Sequence, residues 1–203
     1  MKVSDGVGKR GRQTRKRNPI VLFAAEGDNK TESIYLQNFQ GKNRPRIIPT
    51  SGNRTDPVKM MKQLIKEARE KGLSVRDGDR AFCIIDTDTD KGKQSQIDAV
   101  CKMETDLVKV ITSSPCFEEW FLCHYRWSTG YQTSSAAVEE LKALCPSYKK
   151  SSNIYPLIKG KQDTAIQNAT RLEQYHHEQG RSEHSVDSNP SSEMYKVIEF
   201  LMK

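Results

Sequence analysis

No stretch of this sequence stays apolar for the roughly 20 residues that a membrane-crossing helix requires. The first residues also lack the apolar core of a signal peptide. A soluble chain in the cytoplasm, without a membrane partner, is therefore the expectation. The five cysteines, Cys83, Cys101, Cys116, Cys123 and Cys145, include no C-x-x-C pair. An odd set without that spacing points to neither a zinc site nor a disulfide framework. Apolar neighbours instead predict small buried hydrophobes. No internal repeat is present. Hydrophobic residues make up only 35% of the 203 positions. That is sparse, yet enough for the core of one domain with a helical elaboration.

The net charge of +7 is unevenly placed. Lys2, Lys9, Arg10, Arg12, Arg15, Lys16 and Arg17 against Asp5 give residues 1–19 a charge of +6, so the rest is nearly neutral. Gly6, Gly8 and Gly11 among those charges predict a flexible tail. Such a tail, with Arg15, Lys16 and Arg17 nearest the folded part, could follow nucleic-acid phosphates or simply aid solubility.

What the sequence does hold is two apolar runs that each end in acid. Residues 81–85 read Ala-Phe-Cys-Ile-Ile and are followed by Asp86, Asp88 and Asp90. Ile20 to Ala25 are followed by Glu26 and Gly27. Runs of this length suit central strands of a parallel sheet, and ligands of open α/β sheets bind beyond the carboxyl ends of such strands. Carboxylates crowded there repel one another, and a hard divalent cation such as Mg²⁺ offsets that repulsion. Asp86 and Asp88 are thus candidate metal ligands. Glu26 joins them if the two strands are neighbours. Glu32, in the first turn of the next helix, reads equally as a dipole-favouring acid.

Between the two acidic strand ends the pattern predicts a short strand at 46–49. A helix follows, capped by Asp56 and Pro57 and stopped at Gly72. Strand, helix, strand, helix, strand favours a parallel sheet. Lys91 and Lys93 lie in the loop after the aspartates and are candidate phosphate contacts. A helix near 96–104 and a fourth strand at 107–112 follow. Glu118 opens a further helix at the same sheet edge and is a candidate supporting acid, whereas His124 reads as a packed histidine. Helices near 136–144, 164–179 and 194–201 complete the chain. The expected division is a basic tail over 1–19, an α/β core over 20–128 and a helical extension over 129–203.

Taken in order, several of these stretches resemble the RloB family of bacterial proteins. They are Glu26-Gly27 with Thr31-Glu32, Ile85-Asp86-Thr87-Asp88, and Ser114-Pro115-Cys116-Phe117-Glu118-Glu119-Trp120 with His124-Tyr125. Tyr148-Lys149-Lys150 and Asn189-Pro190-Ser191-Ser192 complete the set. That family is similar to Toprim domains, so the resemblance implies a Toprim-like (Rossmann-like) sheet of about four parallel strands. It implies Glu26 for the family's glutamate and Asp86 with Asp88 for its acidic pair, around Mg²⁺ or Mn²⁺; Glu118 is the expected supporting acid, and Lys149 is a candidate nucleic-acid contact. It further implies phosphodiester hydrolysis in phage defence (abortive infection) beside an ABC-type ATPase. The Gly27-Asp28-Asn29-Lys30 segment departs from the family pattern. A non-catalytic Toprim-like binding module is the alternative. A phosphatase is the weaker rival, because Asp90 stands where that signature wants threonine or valine.

Overall fold

The computed structural model describes residues 17–26, 30–52 and 55–203. Arg15 and Lys16, the rest of the basic segment before them, and Gly27 lie outside the described residues. Four parallel strands, β1 (Ile20–Ala24), β2 (Arg46–Pro49), β3 (Arg80–Asp86) and β4 (Val108–Ser114), form the sheet together with a two-residue antiparallel strand, β5 (Ser191–Ser192). Their order is β2-β1-β3-β4-β5. The helices are α1 (Lys30–Gln37), α2 (Pro57–Glu70), α3 (Gln94–Cys101), α4 (Glu118–Cys123), α5 (Ser134–Leu144), α6 (Tyr155–Ile158), α7 (Gln162–Glu178) and α8 (Met194–Met202). The α/β architecture read from the sequence is present, its four parallel strands joined by a short antiparallel fifth.

Side chains alternate across a strand, and both faces of this sheet are covered. Leu22, Ala24, Ala81, Cys83, Ile85, Val108 and Val110 pack under α2 and α3. Val21, Phe23, Phe82, Ile84 and Ile111 pack under α1, α4 and the C-terminal helices. Burial on both faces explains why β1 and β3 read as unbroken apolar runs instead of alternating ones. The helix over α2 begins as its sequence requires. Asp56 Oδ1 accepts the Lys59 amide at 2.7 Å, Pro57 takes the first position, and Gly72 follows the end at φ +62°.

The fourth strand runs two residues beyond the expected end at Thr112. Its Ser113 and Ser114 pair with Ser192 and Ser191 of β5. Nothing in a Ser-Ser dipeptide announces a strand; only the return of the chain creates it. The helix expected near 96–104 begins earlier, at Gln94, because a 3₁₀ turn over Lys91–Lys93 runs straight into it. The segment from residue 129 onward contributes β5 to the sheet. It also shares one apolar cluster with the strands through Leu141, Ala165, Leu172, Val197 and Ile198. Among the described residues no helix is long and apolar enough to cross a membrane.

Candidate functional site

Strands β1 and β3 are hydrogen-bonded neighbours, with Ala24 opposite Cys83. The chain crosses in one direction from β1 to β2 and in the other to β3, which places a topological switch point between β1 and β3. Glu26 follows the end of β1 and Asp86 ends β3, so the topology carries both carboxylates to that crevice.

The loop after Asp86 is fixed by the neighbouring strand. The Thr87 amide donates to the Ser113 carbonyl at 2.9 Å, and its hydroxyl donates to Ser114 Oγ at 2.8 Å. The Asp88 amide donates to the Pro115 carbonyl at 2.9 Å. Asp88 and Thr89 then both adopt left-handed backbone, φ 51° and 57°. For residues other than glycine that costs on the order of 1 kcal/mol each. The turn is closed by Asp90, whose Oδ1 accepts the Gly92 amide at 2.8 Å. It sends Lys93 back over the acids: its Nζ lies 2.6 Å from Glu26 Oε1 and 3.0 Å from Asp88 Oδ2.

Two more carboxylates arrive from the helical layer. Tyr35 of α1 meets Phe117 and Phe121 edge-on, at centroid separations of 6.1 and 5.3 Å. This aromatic contact locks α1 against the start of α4. Glu32 stands one turn before Tyr35 and Leu36, and Glu118 directly follows Phe117. Both are buried, 9% and 4% exposed. Glu118 Oε1 accepts the Tyr148 hydroxyl proton at 2.7 Å.

The electrostatics follow from this crowding. Burial holds the Asp86 carboxyl well above the usual range, and Glu32, Glu26, Glu118 and Asp88 push it the same way. Burial also pushes Glu32 up to about 7, with Glu118 and Glu26 adding to the effect and Lys150 opposing it. Glu26 is raised by burial despite the Lys93 ammonium. Lys93 is disfavoured as a cation by burial, yet Glu26 and Asp88 raise it overall. Four carboxylates thus crowd a fifth, Asp86, and Lys93 pairs with two of the set, Glu26 and Asp88. All donors are hard oxygens in mutual repulsion, a set that fits a hard divalent cation. The fit is one of donor chemistry. Among the described residues the three side chains whose ligand atoms all lie within 4.8 Å of one another are Glu183, His184 and Glu193, beside β4 and β5. There Lys196 Nζ, 2.6 Å from Glu183 and 3.1 Å from Glu193, already supplies the positive charge.

The remaining candidates separate. Lys91 is exposed at the rim, and Lys93 is engaged by the acids. Lys149 lies exposed in the turn after Tyr148; its neighbour Lys150 is the lysine whose charge reaches Glu32. Arg17 departs from the expected phosphate-tracking role. Its guanidinium makes 2.8 and 2.7 Å contacts to Asp79, at the amino end of β3 and so at the opposite edge of the sheet. The buried Asp79 carboxylate requires such a partner. His124 is packed as expected. Its Nδ1 bonds the Trp120 carbonyl oxygen at 2.9 Å, and burial lowers it to about 4. The sequence left Glu32 undecided and marked Tyr148 only as part of a family stretch, without its bond to Glu118. The available signal for Glu32 was its spacing, three and four residues ahead of the inward-facing Tyr35 and Leu36.

A family model described as RloB-like protein matches residues 21–201. No curated protein and no solved structure matches the chain.

Proposed function

The chain belongs to the RloB-like family, and on that footing we propose that it is a metal-dependent nuclease of the Toprim kind. In this reading it acts in anti-phage defence beside an ABC-type ATPase. The observation that carries the chemistry is the convergence of Glu26 and Asp86 at the tips of hydrogen-bonded neighbouring strands, with Asp88, Glu32 and Glu118 around Asp86. Asp86, Asp88 and Glu26 would hold Mg²⁺ or Mn²⁺. Such an ion, when bound, neutralises phosphate charge and lowers the pKa of a bound water. The chain's own groups do the rest. Glu32, raised to about 7, is poised to hold or release a proton near neutral pH. Tyr148 fixes the orientation of Glu118, while Lys93 balances charge and can turn toward a phosphate.

The test is cleavage of DNA and of RNA with Mg²⁺ or Mn²⁺ by the wild-type chain, Glu26→Gln and Asp86→Asn. Loss of at least a hundred-fold in rate, about 3 kcal/mol of barrier, is expected for Asp86→Asn. Equal rates in the three proteins would remove these acids from catalysis.

A second reading has its own observation. Lys93 already bridges Glu26 and Asp88, a built-in cation where a metal would sit, as suits a module that binds without cutting. If Mn²⁺ binds only to Lys93→Ala and not to the wild-type chain, this second reading prevails.

A further inference from the structure

Directly after Asp88 the surface opens into a groove of about 400 Å³ lined by Thr89, Lys91, Tyr131, Arg181, Val186 and Asp187. Tyr131 is 69% exposed, the most open of the large hydrophobic side chains among the described residues. Yet the backbone that carries it is held firmly. The amide of Gln132 donates to Asn189 Oδ1 at 2.8 Å, and Asn189 Nδ2 donates back to the Gln132 carbonyl at 2.8 Å. The Gln132 side chain donates to Glu140, which Arg126 clamps with an Nη2–Oε2 bond of 2.8 Å. An aromatic ring displayed on a fixed backbone loses little freedom on binding.

Two cations line the groove, and each is placed by its surroundings. Arg181 Nη1 donates to His176 Nδ1 at 2.7 Å, and His176 Nε2–H in turn donates to the Pro190 carbonyl at 2.8 Å. That tautomer is neutral, so it orients the guanidinium without neutralising it. Lys91 projects from the 3₁₀ turn whose next lysine, Lys93, is absorbed by the acids. Among the described residues neither Lys91 nor Arg181 is ion-paired, although Asp187 lines the same groove. A firmly held ring sharing one groove with two cations, neither of them ion-paired, suits the base and phosphates of a single strand.

We infer that this groove receives an unpaired nucleotide of a single-stranded nucleic acid, its base against Tyr131 and its flanking phosphates on Lys91 and Arg181. It delivers the next phosphodiester toward the acids beyond Thr89. The inference rests on the nuclease reading above and specifies its substrate as unpaired rather than duplex. A base within a duplex has both faces already stacked and cannot reach Tyr131.

Fluorescence anisotropy with a labelled short oligonucleotide, single-stranded or annealed to its complement, tests this with EDTA present to prevent cleavage. The wild-type chain binds the single strand more tightly. Tyr131→Ala weakens that binding about ten-fold or more, Tyr131→Phe retains it, and neither changes duplex binding. Lys91→Ala and Arg181→Ala each weaken binding whatever the sequence and lower the slope of log affinity against log salt by about one. Wild-type affinity in Tyr131→Ala, or no oligonucleotide binding by the wild-type chain, overturns the inference. The two readings fail separately. Metal-dependent cleavage that Tyr131→Ala leaves untouched sinks the groove and keeps the nuclease. Tyr131-dependent binding with no cleavage under Mg²⁺ or Mn²⁺ keeps the groove and sinks the nuclease.

Discussion

Glu32 shows how much one side chain depends on its surroundings. In an unfolded chain it titrates near the usual glutamate value, whereas in the folded protein burial and its acidic neighbours raise it to about 7. Between those two values the folded state binds more protons than the unfolded one, so stability falls as pH rises through that window. For Glu32 alone the fall is on the order of 3 kcal/mol, and Asp86, raised by burial and the same neighbours, adds to it. Urea unfolding between pH 5 and pH 8, without divalent metal, should therefore show a loss that Glu32→Gln reduces. Excess Mg²⁺ should offset the loss at pH 8, because a cation bound only to the folded state stabilises it by mass action. His124, lowered to about 4, contributes a change of opposite sign below its ordinary value in both proteins, so the difference between them is the test: identical profiles for metal-free wild type and Glu32→Gln would mean these carboxylates are better solvated than the geometry indicates.

Elements in this fold are stopped and joined by groups of very different weight. The Asp56 cap of α2 satisfies one amide on an exposed turn, and Asp56→Ala should cost about 1 kcal/mol. Asp79, at the start of β3, has no exposed side-chain surface. It accepts from Arg17 twice, from the Ile20 amide at 2.8 Å and from the Ser74 amide at 2.8 Å. Burial works against its ionisation, yet these donors hold the carboxyl below its ordinary range. Asp79→Ala strands two amides and a guanidinium and should cost about 3 kcal/mol. Chemical denaturation of the two variants side by side checks the ranking, and equal losses would contradict it.

At the scale of the whole molecule, the C-terminal helices do not form a separate body. Leu172 of α7 is fully buried in the cluster that also holds Phe23 of β1 and Trp120 of α4. Leu172→Ala should cost about 2–5 kcal/mol and move one cooperative transition as a unit. Calorimetry that resolved two transitions, only one of them shifted, would show that the C-terminal helices unfold alone. The union has a functional consequence. Tyr148 and Lys150, from the C-terminal part, act on Glu118 and Glu32, and Asn189 holds the loop that displays Tyr131.

Local physics was legible in the sequence. Apolar runs with acid at their ends gave β1 and β3, Asp56-Pro57 and Gly72 bracketed α2, and the helix expected near 194–201 is α8, with Met194, Val197, Ile198 and Leu201 buried. Each rests on contacts within a few residues or on burial against any apolar surface. The sequence alone also marked Glu26, Asp86 and Asp88, because a carboxylate at the tip of a buried strand is locally conspicuous. The folded chain alone decided that β1 and β3 are neighbours, that Glu32 faces Asp86, and that Lys93 turns inward while Lys91 stays at the rim. It also turned Ser191-Ser192 into a strand and placed Arg17 at the far edge of the sheet. These depend on partners tens of residues apart, and the free energy of a contact becomes visible only when both partners have been brought together.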